Sequence, residues 1–315
     1  MAKNNERNSG NTPPPPTPVA GNFIAWHHIR STVPHDWEVT KYAVEDRVGR
    51  IEFGTRDGLK ATVSWEPCLR EPNRLTTMKT FIQNNIYKKN SEKRVDEVET
   101  KDVGNFLVGW MADPIVPCQA LGYNKETQHL VRWIFEGERT ANYREEVIFP
   151  ILESSSFNDS SIEREYSLYG IHCFLPVDYK IEDIVTLPAN AMMLFENEST
   201  HRRATFRRWG LASTILGKKD LFDFYNAILR TLNIQAELVS KCTVNNFDGR
   251  ILKFSSLREH HGDRYMRRRW HNGEAIIWYN KDENRIYTFE QIGPDKTEPL
   301  DFNSVFKGYV LRRSK

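Results

Sequence analysis

Cysteine is scarce: Cys68, Cys118, Cys173 and Cys242 are the only four in 315 residues, and no two are close in sequence. That spacing excludes a zinc ribbon and a CxxC redox pair, and the four read as reduced, mostly packed thiols. A nucleophilic Cys68 or Cys118 would need a nearby histidine that sequence alone cannot place. Long apolar runs are also missing. No segment of about 20 apolar residues could span a bilayer, and no apolar stretch after Met1 resembles a signal peptide, so the expectation is a cytoplasmic protein without membrane insertion. The net charge is only +2. A P-loop, a Rossmann glycine fingerprint, a G-x-S-x-G elbow, HExxH and kinase signatures are all absent, which leaves no motif-borne enzyme chemistry. No cofactor and no metal is expected. An active site assembled from distant residues would escape such a reading.

What the chain does contain is the same pattern twice. Val33-Pro34-His35-Asp36-Trp37-Glu38-Val39 matches Leu175-Pro176-Val177-Asp178-Tyr179-Lys180-Ile181 at a spacing of 142, and Ile51-Glu52-Phe53 matches Met193-Leu194-Phe195 at the same spacing. Phe81 pairs with Phe224 at 143, and Tyr123-Asn124-Lys125-Glu126 with Tyr279-Asn280-Lys281-Asp282 at 156. A repeat of this length is a domain, not a solenoid unit. The boundaries read as a disordered proline-rich tail over 1–20, copy one over 21–157 and copy two over 160–315. A small polar stretch, 153–161, joins the copies. Eight Trp and 12% aromatic residues supply large side chains for two cores.

Each copy runs strand (29–33; 171–175), Pro-x-Asp-aromatic turn, strand (37–42; 179–184), then a hairpin (48–53 with 60–65; 191–195 with 203–209). A helix follows. In copy two Asp220 can cap it, and Leu221, Phe224, Tyr225, Ile228 and Leu232 share one face. Copy one has a weaker stripe in Leu75, Met78, Phe81, Ile82 and Ile86. Further hairpins come next, and each copy closes on a short apolar segment (147–152; 302–310) that is helical at least in part, with Pro150 opposing a long helix in copy one.

This order predicts an α+β class, two tandem copies of an antiparallel sheet with packed helices. With its Pro-x-Asp-Trp turn and its Ser-Ser-Phe after the last helix of copy one, it resembles the Mog1/PsbP-like α/β sandwich family along almost the whole of each copy. The resemblance implies a binding or assembly factor in place of an enzyme, and no functional residue of the family transfers to this sequence.

Differences between the copies point to a surface. From Ser161 onward there are 24 Lys and Arg against 20 Asp and Glu, and before it 20 against 22. Copy two has 13 more residues between its helix and its late turn, since the spacing grows from 143 to 156. The stretch 258–273 is the most basic of the chain, and its Asn272-Gly273 pair signals a hairpin, with a strand over 264–270. Arg264, Arg267, Arg268, Arg269 and Trp270 of that hairpin, with Arg202, Arg203, Arg207 and Arg208 of the preceding basic strand, form the candidate site for anions or a partner. The competing expectation is that these arginines pair with Glu196, Glu198 or Glu290 on neighbouring strands. Metal binding by His260, His261 and His271 with Asp263, or by His27 and His28, is disfavoured because adjacent histidines on a strand point to opposite faces. The reading is therefore a non-catalytic protein-binding or assembly factor with an acidic protein partner. A nucleic-acid-binding accessory protein using the same surface comes second, and an enzyme with a site between the copies third.

Overall fold

The computed structural model describes residues 21–87, 95, 97–137, 140–158, 162–187, 189–231, 234–256, 272–294, 298–307 and 309–313. The tail 1–20 and the stretch 257–271, which holds the expected strand 264–270, lie outside them. The first half comprises β1 (Gly21–Trp26), β2 (Ile29–Pro34), β3 (Glu38–Tyr42), β4 (Gly49–Thr55), β5 (Gly58–Pro67), α1 (Arg74–Phe81) continuing as a π-helix (Ile82–Ile86), β6 (Glu99–Val103), β7 (Phe106–Trp110), β8 (Cys118–Asn124), β9 (His129–Phe135), α2 (Ala141–Tyr143), a π-helix (Arg144–Ile148) and α3 (Phe149–Ser154). The second comprises β10 (Ser156–Phe157), β11 (Glu163–Leu168), β12 (Ile171–Pro176), β13 (Tyr179–Leu187), β14 (Asn190–Asn197), β15 (Arg203–Trp209), α4 (Ala212–Leu216), α5 (Leu221–Thr231), β16 (Ile234–Val244), β17 (Phe247–Ser256), β18 (Asn272–Asn280), β19 (Arg285–Gly293), α6 (Phe302–Val305) and β20 (Leu311–Arg313).

These strands form three antiparallel sheets, with few and short helices: the antiparallel sheets are as expected, and the protein is mostly β where an α+β class was expected. One sheet has the order β3-β4-β5-β9-β8-β7-β6 and another β13-β14-β15-β19-β18-β17-β16-β20. Apart from β20 the two orders are the same, and small irregularities repeat as well. The register slips between Val39 and Lys41 in one sheet and between Ile181 and Asp183 in the other, at the 142-residue spacing. Asn124 and Asn280 each accept two backbone N–H groups in their turns, and each turn then reaches a left-handed residue, Gln128 (φ 54°) or Asn284 (φ 52°).

The third sheet, β10-β2-β1-β11-β12, takes strands from both halves. Its central contact pairs Ala25 with Ser167, residues 142 apart and therefore equivalent in the repeat. Tyr42 Oη donates to the carbonyl of Ile184, again its own equivalent, at 3.2 Å. A pseudo-two-fold axis thus passes through the seam. Around it one continuous core joins Trp26, Phe53, Trp65 and Trp133 from the first half with Tyr166, Phe195, Phe206 and Phe289 from the second. Trp37 and Tyr179, the aromatics of the two Pro-x-Asp turns, are buried in this same core.

Two segments depart from expectation. Residues 153–161 read as a linker, yet β10 pairs with β2, Ser155 is buried and donates to Ser31 Oγ at 2.9 Å, and Asn158 Nδ2 donates to Glu165 O at 2.8 Å. Small polar side chains here satisfy buried backbone groups. Pro150 does not stop its helix either. It is the second residue of α3, directly after the π-helical turn, where the change of hydrogen-bond register accommodates a residue without an N–H.

Helix α5 lies on the outer face of the second sheet, burying Leu221, Tyr225 and Leu229. Asp220 caps it, with Oδ1 accepting from the N–H groups of Phe222 (2.5 Å) and Asp223 (3.3 Å). Asp220→Ala is expected to cost about 1 kcal/mol of stability. Urea denaturation of the variant against the parent measures this, and an unchanged midpoint would show that the cap contributes nothing.

Candidate functional site

The basic strand β15 runs through the middle of the second sheet, between β14 and β19. Its alternation sends Arg203, Thr205, Arg207 and Trp209 to the face that carries α5, while Ala204, Phe206 and Arg208 face the shared core. Arg203 pairs with Glu196 at 2.9 Å and Glu182 at 3.1 Å, and Arg207 with Glu290 at 3.5 Å. Burial raises the Glu182 carboxyl despite this pairing; at Glu196 the bonds from Arg203 outweigh burial and lower it. Arg208 donates through Nη1 to the carbonyl of Tyr169. Arg202 precedes the strand, buried against Gly293. The four arginines therefore do not form one array. Two are matched to cross-strand carboxylates, as the competing expectation had it, and two are folded into the protein.

Arg264, Arg267, Arg268, Arg269 and Trp270 lie outside the described residues, as do His260, His261, Asp263 and His271. Their flanks are described. β17 and β18 pair up to Ser255 and Asn272, so residues 257–271 connect these two strands, where the first half connects β7 to β8 through 111–117. At the flanks lies a cavity of about 470 Å³ lined by Arg202, Glu237, Lys253, Phe254, Asn272 and Glu274 among others. Gly273 is required there: a Cβ would come within 2.1 Å of the Phe254 ring.

A second constellation went unrecognised in the sequence. The turn between β1 and β2 holds His27 and His28, both 2% exposed. Because His27 adopts φ 43° in that turn, the two rings do not diverge as they would on a strand, and both reach Asp46 in the β3–β4 loop. His27 Nδ1 lies 3.2 Å from Asp46 Oδ1, and His28 Nε2 lies 2.9 Å from its carbonyl. Trp65 Nε1 donates to the same carbonyl at 2.9 Å. From the second half Arg164 Nη1 reaches Asp46 Oδ1 at 2.6 Å, with Lys180 Nζ 4.0 Å from Oδ2. His129 stacks on His28 with ring centres 3.8 Å apart.

Burial by itself would raise the Asp46 carboxyl, but hydrogen bonds from His27, His28 and Arg164 outweigh it and hold the group well below the usual carboxylate range. Burial lowers His27, and burial with the neighbouring His28 lowers His129. Neither the cavity above nor a smaller one beside α1 touches these residues. Among the described residues no group of three or more His, Cys, Asp or Glu is arranged to hold a metal. The arrangement acts as an ionic latch across the seam, built on a carboxylate with donors on several sides.

None of the four cysteines forms a disulfide. Burial pushes the Cys118 thiol up to about 12 and raises Cys173 as well, which makes both poor nucleophiles. Among the described residues no helix is long and apolar enough to cross a membrane. Comparison with protein-family models and with curated proteins finds no match.

Proposed function

We propose that the chain is a non-catalytic partner-binding or assembly factor, and that the basic segment 257–271 and its flanks form the contact surface for an acidic protein. The observation that carries this reading is a difference between two sheets of the same strand order. The β7–β8 connection spans 111–117, whereas the β17–β18 connection spans 257–271 and brings Arg258, Arg264, Arg267, Arg268 and Arg269 against only Glu259 and Asp263. Arg203 and Arg207 already have carboxylate partners within the sheet, so the added segment is the stronger source of positive charge for a partner. Its flanks add a cavity bordered by the exposed Lys253, itself paired with Glu274 at 3.5 Å, with Phe254 as an apolar element. The fold class inferred from the sequence, a tandem of Mog1/PsbP-like sandwiches, is consistent with such a role but is only an analogy of architecture.

The test is capture from the native lysate on tagged protein, with and without nuclease, comparing the parent with an Arg267→Glu/Arg268→Glu variant. The expected result is one or more acidic proteins retained after nuclease, weakened by added salt and lost in the variant, whose circular dichroism and melting stay unchanged. Nucleic acid recovered with the bait, and proteins lost on digestion, would replace this reading with a nucleic-acid-binding one. Capture that is unaltered in the variant would remove the segment from the function.

A further inference from the structure

Helices α1 and α5 hold equivalent places in the repeat but meet their sheets differently. α5 buries an apolar stripe of three residues, whereas α1 buries only Met78, and its π-helical continuation only Ile82. Along one side of this helix stand Thr76, Thr77, Thr80, Asn84 and Asn85, positions that follow one another around the helical period. Together with Phe81 and Arg132 they line a cavity of about 330 Å³. That is the lower end of the range of small-molecule sites.

Arg132 belongs to β9, and its guanidinium lies over the Phe81 ring, 4.3 Å from the centroid. Its Nε is buried without a hydrogen-bond partner, and it makes no ion pair among the described residues. Glu66 acts on it only through its field, and burial opposes its charge. Gln119, on the same face of the neighbouring strand, is 1% exposed, and neither its Oε1 nor its Nε2 is hydrogen-bonded. Buried polar groups that lack partners are costly, and a guanidinium is costlier than an amide. The groove beside α1, whose Thr76, Thr80, Asn84 and Asn85 are exposed, thus offers a cationic fork together with hydroxyls and carboxamides, and among the described residues no acid lines it.

We propose that this cavity binds a small ligand bearing an oxyanion, a carboxylate or a phosphate ester. Arg132 anchors the charge, Phe81 holds the guanidinium plane, and Thr76, Thr80 and Asn84 supply neutral donors and acceptors. A planar guanidinium is suited to both anions through paired N–H donors. The equivalent helix of the second half closes on its sheet with apolar side chains, so the site belongs to the first half alone.

The test is isothermal titration calorimetry of the full chain at low ionic strength with inorganic phosphate and, separately, succinate. The proteins are the parent, Arg132→Gln, Thr80→Val, and Arg50→Gln as a control for surface charge. The expected result is saturable one-site binding of at least one probe, weakened about tenfold or more by Arg132→Gln, weakened less by Thr80→Val and unchanged by Arg50→Gln. Binding of phosphate alone assigns phosphate esters, and of succinate alone carboxylates. Absence of saturable binding by the parent to both probes overturns the proposal, as does full binding by a folded Arg132→Gln. Should that variant fail to fold by circular dichroism, unaltered binding in Thr80→Val overturns it.

Discussion

Asp46→Ala is expected to lower the stability of the fold by about 3–5 kcal/mol, the usual result of removing one partner from a largely buried ion pair. The side chain is 29% exposed and its partner Arg164 14%, so the carboxylate is only partly screened. Its loss leaves the Arg164 guanidinium facing the buried rings of His27 and Tyr166 without a counter-charge. Asp46→Asn, which keeps the shape and one acceptor, should recover part of the loss. Urea denaturation at pH 7 measures all three proteins, and a cost below about 1 kcal/mol would reduce the latch to an ordinary surface pair.

The same cluster sets the direction of the pH dependence. Asp46 has a depressed folded value, so its contribution is present above its unfolded value, near pH 4, and is lost as pH falls through the folded one. His27 and His129 are also depressed. Their contribution is complete above about pH 6.5, where the unfolded chain is neutral, and declines below it as the unfolded histidines take up protons. Acid therefore weakens the protein in two stages, the histidines first and the carboxylate later, and the gap between the parent and Asp46→Asn narrows below about pH 4. Stability that rises on acidification from pH 7 to 5 would contradict this assignment.

The second large effect belongs to Tyr166. Its ring is 1% exposed and sits between Trp26 of the first half, at 5.8 Å, and Phe195 of the second, at 4.8 Å. Tyr166→Ala is expected to cost about 3–5 kcal/mol, as aromatic truncations in packed cores do. Because one core runs through both halves, that cost should appear in a single transition that unfolds both, with near-ultraviolet circular dichroism and tryptophan fluorescence superimposing. Two separated transitions, only one of them shifted by the substitution, would show that the halves are energetically independent despite their common core.

Much of the architecture was legible from local pattern. The repeat spacing and the alternation within segments such as 203–209 and 285–292 marked most strands of the two large sheets within a few residues, and Asp220 marked the start of α5. Of the third sheet, Ile29–Pro34 and Ile171–Pro176 were legible as strands, but their central partners and the pairing that joins the halves were not. Gly21–Trp26 has no alternation, its burial being concentrated in the last three residues, and Glu163–Leu168 begins with the charged run Glu163-Arg164-Glu165. Each is a strand because of the other, and pairing across more than 140 residues leaves no local trace. The latch was hidden for a related reason. Adjacent histidines were read with strand geometry, but a left-handed turn residue changed their directions, and Asp46 looked like one member of the ordinary run Glu45-Asp46-Arg47. The arginines of β15 were visible as residues. Their acid partners lie on β13, β14 and β19, so whether they were available to a ligand depended on registers that sequence alone does not show. Arg132 looked like a polar position on an alternating strand, and only the polar stripe of α1 above it makes it notable.

The contacts between Ala25 and Ser167 and between Tyr42 and Ile184 have the form of a two-fold dimer interface, in which each surface meets its own equivalent. Here the partners share one polypeptide, so their association does not depend on dilution: the tether supplies the second copy at a fixed local concentration. It also removes a constraint that identical subunits obey, under which any residue placed on one side of the axis must appear on the other. At this seam one side carries His27-His28 and the other Tyr169-Gly170, and two unlike ion pairs cross it: Asp46 of the first half with Arg164 of the second, and Arg30 of the first with Glu165 of the second.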